Sequence, residues 1–176
     1  SFRHFQNNFQ FSHQNLQPDD TELYSVRGLI YKQSGRYKEA LPDYDEALRR
    51  APTMVASWND RGNVYTVLGY YQRAIEDYNE AIRLEPNFAL AYTNRGTAYG
   101  RLNDFSKAMK DHDMAIRLDP RRAIHYFYQA GSYRYFGKNE QAVKIYNEAI
   151  LRDPQNPHAF NNRGNAYREL GNAEKP

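Results

Sequence analysis

Three aspartates, Asp43, Asp77 and Asp111, stand at equal intervals along the chain, and sixteen residues before each stands an arginine: Arg27, Arg61 and Arg95. Paired carboxylates can do general acid–base work when one keeps its proton and the other does not. Here each aspartate travels with its own arginine instead. A guanidinium fork matches a carboxylate in two parallel hydrogen bonds. The expectation is therefore three ion pairs, Arg27–Asp43, Arg61–Asp77 and Arg95–Asp111, and no carboxylate dyad. A fourth occurrence changes both partners at once, to Gln129 and Ile145.

Other reactive chemistries fare no better. There is no cysteine, which excludes disulfides, thiolate metal sites and a cysteine nucleophile. His112 has no histidine three or four residues away, as a helix-borne metal pair needs, and reads as a packed side chain. No H-E-x-x-H helix, G-x-S-x-G elbow or phosphate-cradling glycine loop occurs. The chain reads as no enzyme, with no catalytic, cofactor-binding or metal residues and no cofactor. With 24 basic and 21 acidic residues the net charge is only +3, too balanced to argue for nucleic acid, and the basic residues are spread over the repeat rather than gathered on one face, so nucleic acid is not expected as a partner. No apolar run approaches the roughly 20 residues a bilayer span requires, so no membrane is expected. Residues 1–20 are polar and lack the apolar centre of a signal peptide. An intracellular, cytoplasmic setting is favoured.

The elements that would position these residues follow from the spacing. Gly28, Gly62, Gly96, Ala130 and Gly164 recur at one constant interval. Tyrosine follows three residues later, at Tyr31, Tyr65, Tyr99, Tyr133 and Tyr167. Alanine recurs at Ala40, Ala74, Ala108 and Ala142, then a ring at Tyr44, Tyr78, His112 and Tyr146, then Ala47, Ala81, Ala115 and Ala149. Pro52, Pro86, Pro120 and Pro154 close each unit. Small and apolar residues share faces at helical spacing. Gly35, Gly69, Gly137 and Gly171, with Asn103 in the equivalent place, fall where a first helix should stop. Pro42 falls early in the second helix of the first unit and should strain that turn, unless the helix begins closer to it than in the other units.

Trp58-x2-Arg61-Gly62-x2-Tyr65, then Ala74-x3-Tyr78, then Pro86 resembles the tetratricopeptide repeat family. The constant interval also matches that family's repeat length. The resemblance implies an all-α fold, a right-handed superhelical solenoid of antiparallel helical hairpins. The repeats would span 21–54, 55–88, 89–122 and 123–156, with 157–176 as the first helix of a truncated fifth. Residues 1–20, with Phe2, Phe5, Phe9 and Phe11, form either a degenerate cap or a disordered leader. The absent initiator methionine and the unpartnered last helix suggest a fragment of a longer protein.

In this family the first helix of each hairpin lines a concave groove. Carried over, the peptide-binding candidates are Asn59, Asn63, Asn94, Thr97, Arg101, Tyr128, Arg134, Asn162, Asn165 and Arg168. Asparagine and threonine can donate and accept toward a peptide backbone. Phe127 and Tyr135 extend an aromatic patch around Tyr128. The arginines, with Lys32 as an extension, favour acidic or carboxylate character in the partner. The carboxylate clamp by which some family members hold acidic chaperone tails is not matched. At its positions stand Asn59, Asn63, Asn94, Ile124 and Tyr128, without the three basic residues. An asparagine ladder along the groove is partial: Asn94 and Asn162 match it, while Val26, Asp60 and Tyr128 interrupt it. The reading is a scaffold that binds an extended protein or peptide segment. The alternatives are a self-assembly module stacking through its open ends, or the targeting domain of a larger enzyme.

Overall fold

The computed structural model describes residues 21–173, side chains to 171. These form helices α1 (Thr21–Gln33), α2 (Tyr37–Arg50), α3 (Val55–Val67), α4 (Tyr71–Leu84), α5 (Ala89–Arg101), α6 (Phe105–Leu118), α7 (Ala123–Tyr135), α8 (Asn139–Arg152) and α9 (Pro157–Ala173). No strand occurs among the described residues. The Phe-rich leader lies outside them.

Local chemistry fixes where each first helix ends. Gly35, Gly69 and Gly137 have φ of 76°, 83° and 70°, and Asn103 has φ of 61°. At each the chain closes the same double bond. Tyr70 N–H donates to the Tyr65 carbonyl at 2.8 Å and Gly69 N–H to that of Thr66 at 3.2 Å. Asp104 and Asn103 repeat the pattern onto Tyr99 and Gly100. This satisfies carbonyls that the ending helix would orphan, and it needs a left-handed residue at that point. Gly171 departs from the expectation: it lies inside α9 and ends nothing. Pro42 sits within α2, which still starts at Tyr37, in phase with Tyr71, Phe105 and Asn139. The amide that proline lacks would have served the carbonyl of Lys38, an exposed residue that water can satisfy.

Two compact units result, divided after Met54. In the first, α1 packs antiparallel on α2. Ala40, Tyr44 and Ala47 are fully buried. Gly28 lies so close to the Tyr44 ring that a Cβ there would meet it at 3.2 Å. Arg27 donates through Nε and Nη2 to Asp43 at 2.7 and 2.5 Å.

The second unit stacks α3/α4, α5/α6, α7/α8 and α9. Consecutive helices pack on one another, and the first helices also meet directly, α3 with α5, α5 with α7, and α7 with α9. Tyr78, His112 and Tyr146 are buried at the repeated ring position, flanked by buried alanines. Arg61 and Arg95 bridge to Asp77 and Asp111 as the spacing predicts. One set of contacts goes beyond that prediction. The same position also reaches back sixteen residues: Arg95 to Asn79, Gln129 to Asp113 and Arg163 to Asn147, each at 2.7 Å. Arg95 thus joins two helices of its own hairpin and staples that hairpin to the one before.

Candidate functional site

The row of first helices α5, α7 and α9 borders a cavity of about 470 Å³. Thr97, Gly100 and Arg101 come from α5; Phe127, Tyr128, Gly131, Ser132, Arg134 and Tyr135 from α7; Tyr146 from α8; Asn162 and Glu169 from α9. Helical spacing explains the set, because residues three and four apart share a face. Tyr128, Gly131 and Tyr135 are neighbours on one stripe of α7, with Arg134 beside them.

Five of the ten residues expected from the sequence line this cavity: Thr97, Arg101, Tyr128, Arg134 and Asn162. Five lie elsewhere. Asn59 is only 7% exposed, and its carbonyl accepts from Asn94 Nδ2 at 2.9 Å, tying α3 to α5. Asn63 accepts from the Tyr78 hydroxyl at 2.8 Å. Asn165 is half-buried and Arg168 exposed, both on α9. Asn59, Asn63 and Asn94 therefore have bonds inside the stack, which sequence alone could not show. Lys32 belongs to the first unit.

The cavity interleaves aromatic and polar side chains. Tyr128 and Tyr135 are 38% and 53% exposed. Phe127 packs edge-on against both Tyr128 and Tyr146, with ring centroids 5.5 and 6.0 Å apart. Arg101 stands 5.8 Å from the Tyr135 ring. Arg134 Nη1 donates to Glu169 Oε1 at 2.8 Å, joining α7 to α9. Burial pulls the Arg134 guanidinium pKa down, but Glu169 and Tyr146 acting together outweigh it and hold the value above the ordinary one. Ser132 meets His112 Nε2 at 2.9 Å behind the wall.

Tyr146 is fully buried, yet its hydroxyl has no hydrogen-bond partner, and neither has Arg134 Nε. Burial pushes the Tyr146 hydroxyl pKa up, and the nearby guanidinium partly offsets that. The Arg134 side chain stands at the hydroxyl as a hydrogen-bonding neighbour, but no pair of their atoms meets both the distance and the angle of a well-formed bond. Tyr146, Glu169, Ser132 and the two glycines were missed in sequence. The one available signal was Gly131, a side chain missing where the other units carry Leu29, Asn63, Thr97 and Asn165.

A tetratricopeptide repeat model matches residues 21–54 and 89–122, and a TPR repeat model matches 62–103 and 131–171. The chain belongs to the tetratricopeptide repeat family. Its all-α hairpin stack is that of solved TPR structures. A tetratricopeptide repeat protein from Parabacteroides merdae is 24% identical with a TM-score of 0.76, over 90% of this chain and 62% of that one. The first TPR domain of human RPAP3 is 28% identical, TM-score 0.65, over 70% and 98%. The first TPR of Spaghetti (RPAP3), bound to the HSP90 peptide SRMEEVD, is 27% identical, TM-score 0.60, over 66% and 93%. Among curated proteins, none matches this sequence. Among the described residues, no group of three or more His, Asp or Glu could hold a metal ion. No described helix is long and apolar enough to cross a membrane.

Proposed function

We propose that this TPR protein is an interaction scaffold whose α5–α7–α9 cavity holds an extended partner segment. The observation that carries the reading is the cavity itself: concave, part aromatic and part polar, on the row of first helices. Such a mixture suits recognition, with rings supplying area and a few polar groups fixing orientation. TPR proteins are typically scaffolds rather than enzymes, and the Spaghetti (RPAP3) domain holds a peptide. The partner favoured here differs in chemistry from an acidic tail. Arg134 is paired with Glu169, so acidic residues gain mainly from the exposed Arg101 and Arg168, toward the ends of the segment.

Panning a random peptide library on the protein, followed by fluorescence anisotropy of the recovered peptides, tests this. Micromolar affinities are expected, weakened at least tenfold by Tyr128→Ala and by Asn162→Ala. Recovered peptides indifferent to both substitutions, or none recovered, would remove the reading.

A further inference from the structure

The repeat lets one hairpin be compared with another, position by position. Tyr78 and Tyr146 lie two repeats apart and occupy the same place in their hairpins. Both are buried. The Tyr78 hydroxyl donates to the Asn63 carboxamide at 2.8 Å and meets Thr66 Oγ1 at 3.0 Å. The positions equivalent to Asn63 and Thr66 are Gly131 and Arg134. Gly131 supplies no bond and Arg134 only a poorly aligned approach, so the Tyr146 hydroxyl is left without a well-formed partner. Gly131 leaves space instead: a Cβ built on it would find only that hydroxyl, at 3.7 Å. Gly131, Arg134 and Tyr146 all line the cavity. Where Asn63 fills its hairpin, the chain holds an opening over a buried donor.

We infer that this opening is a specificity pocket for an asparagine or glutamine side chain of the partner, which supplies in trans the carboxamide that Asn63 supplies in cis. This rests on the scaffold reading above and names its chemistry. Three features select the carboxamide. The unpaired groups, Tyr146 O–H and Arg134 Nε–H, are donors, and a carbonyl oxygen has two lone pairs to accept them. Arg134 is already neutralised by Glu169, so a carboxylate would bring uncompensated charge into a half-buried site, whereas an amide brings none. A fully buried hydroxyl lies beyond the reach of a partner's main chain, so the group must protrude on a stem. Phe127 and Tyr135 offer that stem apolar surface.

The probes are four capped amino acids with identical main chains: N-acetyl glutamine, asparagine, glutamate and alanine N-methylamides. Each is titrated into the ¹⁵N-labelled protein while the Gly131 amide and the Arg134 Nε–Hε signals are followed. Saturable millimolar shifts are expected from glutamine or asparagine, with responses at least fivefold weaker from glutamate and alanine. Gly131→Asn should abolish the response while the melting temperature stays equal or rises. Equal response to alanine assigns any binding to the main chain, and stronger response to glutamate assigns it to charge. Either outcome, a silent pair of amides, or an unaffected Gly131→Asn overturns the inference. Library peptides that bind Gly131→Asn as well as wild type would leave the scaffold reading standing and remove this pocket. Amide probes that bind where no library peptide does would do the reverse.

Discussion

Asp111 accepts two parallel hydrogen bonds from Arg95, from Nε and from Nη2, both at 2.7 Å, across the two helices of one hairpin. The carboxylate is 5% exposed. Removing the arginine alone strands a buried charge, which costs about 3–5 kcal/mol. Arg95→Ala is therefore expected to lower urea stability by that order. The chain itself shows the tolerated replacement. Gln129 and Ile145 occupy these positions one unit later, with Ile145 packed on the core and Gln129 keeping the backward bond to Asp113. The double variant Arg95→Gln, Asp111→Ile should fall within about 1–2 kcal/mol of wild type. A double variant as unstable as Arg95→Ala would show that the charges themselves are required.

His112 stands where other hairpins carry tyrosine, and burial depresses its pKa from 6.5 to about 3, with His125 adding to the effect. A base that is harder to protonate when folded binds more protons when unfolded. Its contribution is complete above pH 6.5 and is lost as pH falls toward 3, at about 1.4 kcal/mol per unit. Between pH 7 and pH 5 the unfolding free energy should drop by roughly 2 kcal/mol from His112 alone. His125, also depressed by burial, steepens the fall. His112→Phe should flatten that slope at the expense of about 1 kcal/mol for Ser132, its hydrogen-bond partner. Denaturant curves of both proteins at pH 5, 6 and 7 decide it; parallel slopes would refute it.

Small residues divide into those that must be small and those that need not be. A Cβ on Gly62 would lie 2.6 Å from Tyr78 Cε1, and that ring is 1% exposed and held at its hydroxyl. Gly62→Ala should cost about 1–3 kcal/mol through overpacking, despite the helix-propensity gain. Gly164, at the same phase, faces open space. There the propensity gain stands alone, and Gly164→Ala should stabilise by about 0.5–1 kcal/mol. Thermal melts in which the two alanines shift stability in the same direction would contradict the packing account.

The same distinction explains what was legible in the sequence. Contacts that recur once per repeat announce themselves, so the hairpins, the helix-ending glycines and the Arg–Asp bridges could all be read from spacing. Gly171 misled because spacing marks a place where a helix can stop without requiring that it does. The first-helix polar residues carry no such mark. Asn59 and Asn94 look equally available in sequence, and only packing shows that they bond each other. Tyr146 looked like plain core. Its chemistry comes from an absence on the facing helix, at Gly131, and a missing side chain is visible only once its repeat partner is seen making a bond.

That comparison gives a sharp energetic contrast. Tyr78 and Tyr146 are both buried rings, but the first has well-formed hydroxyl bonds and the second, with Arg134 poorly aligned beside it, has none. Tyr78→Phe removes bonds to Asn63 and Thr66 and should destabilise by about 1 kcal/mol. Tyr146→Phe removes a buried donor that satisfies nothing, and an unsatisfied buried polar group costs about 1–3 kcal/mol. Stability should therefore be unchanged or rise by about 1 kcal/mol. The same variant should lose the response to glutamine and asparagine probes at the Gly131 amide. Gain of stability with loss of binding is the pattern of a group kept for a partner rather than for the fold. If Tyr146→Phe destabilises as much as Tyr78→Phe, the hydroxyl has an internal partner and the pocket has no donor to offer.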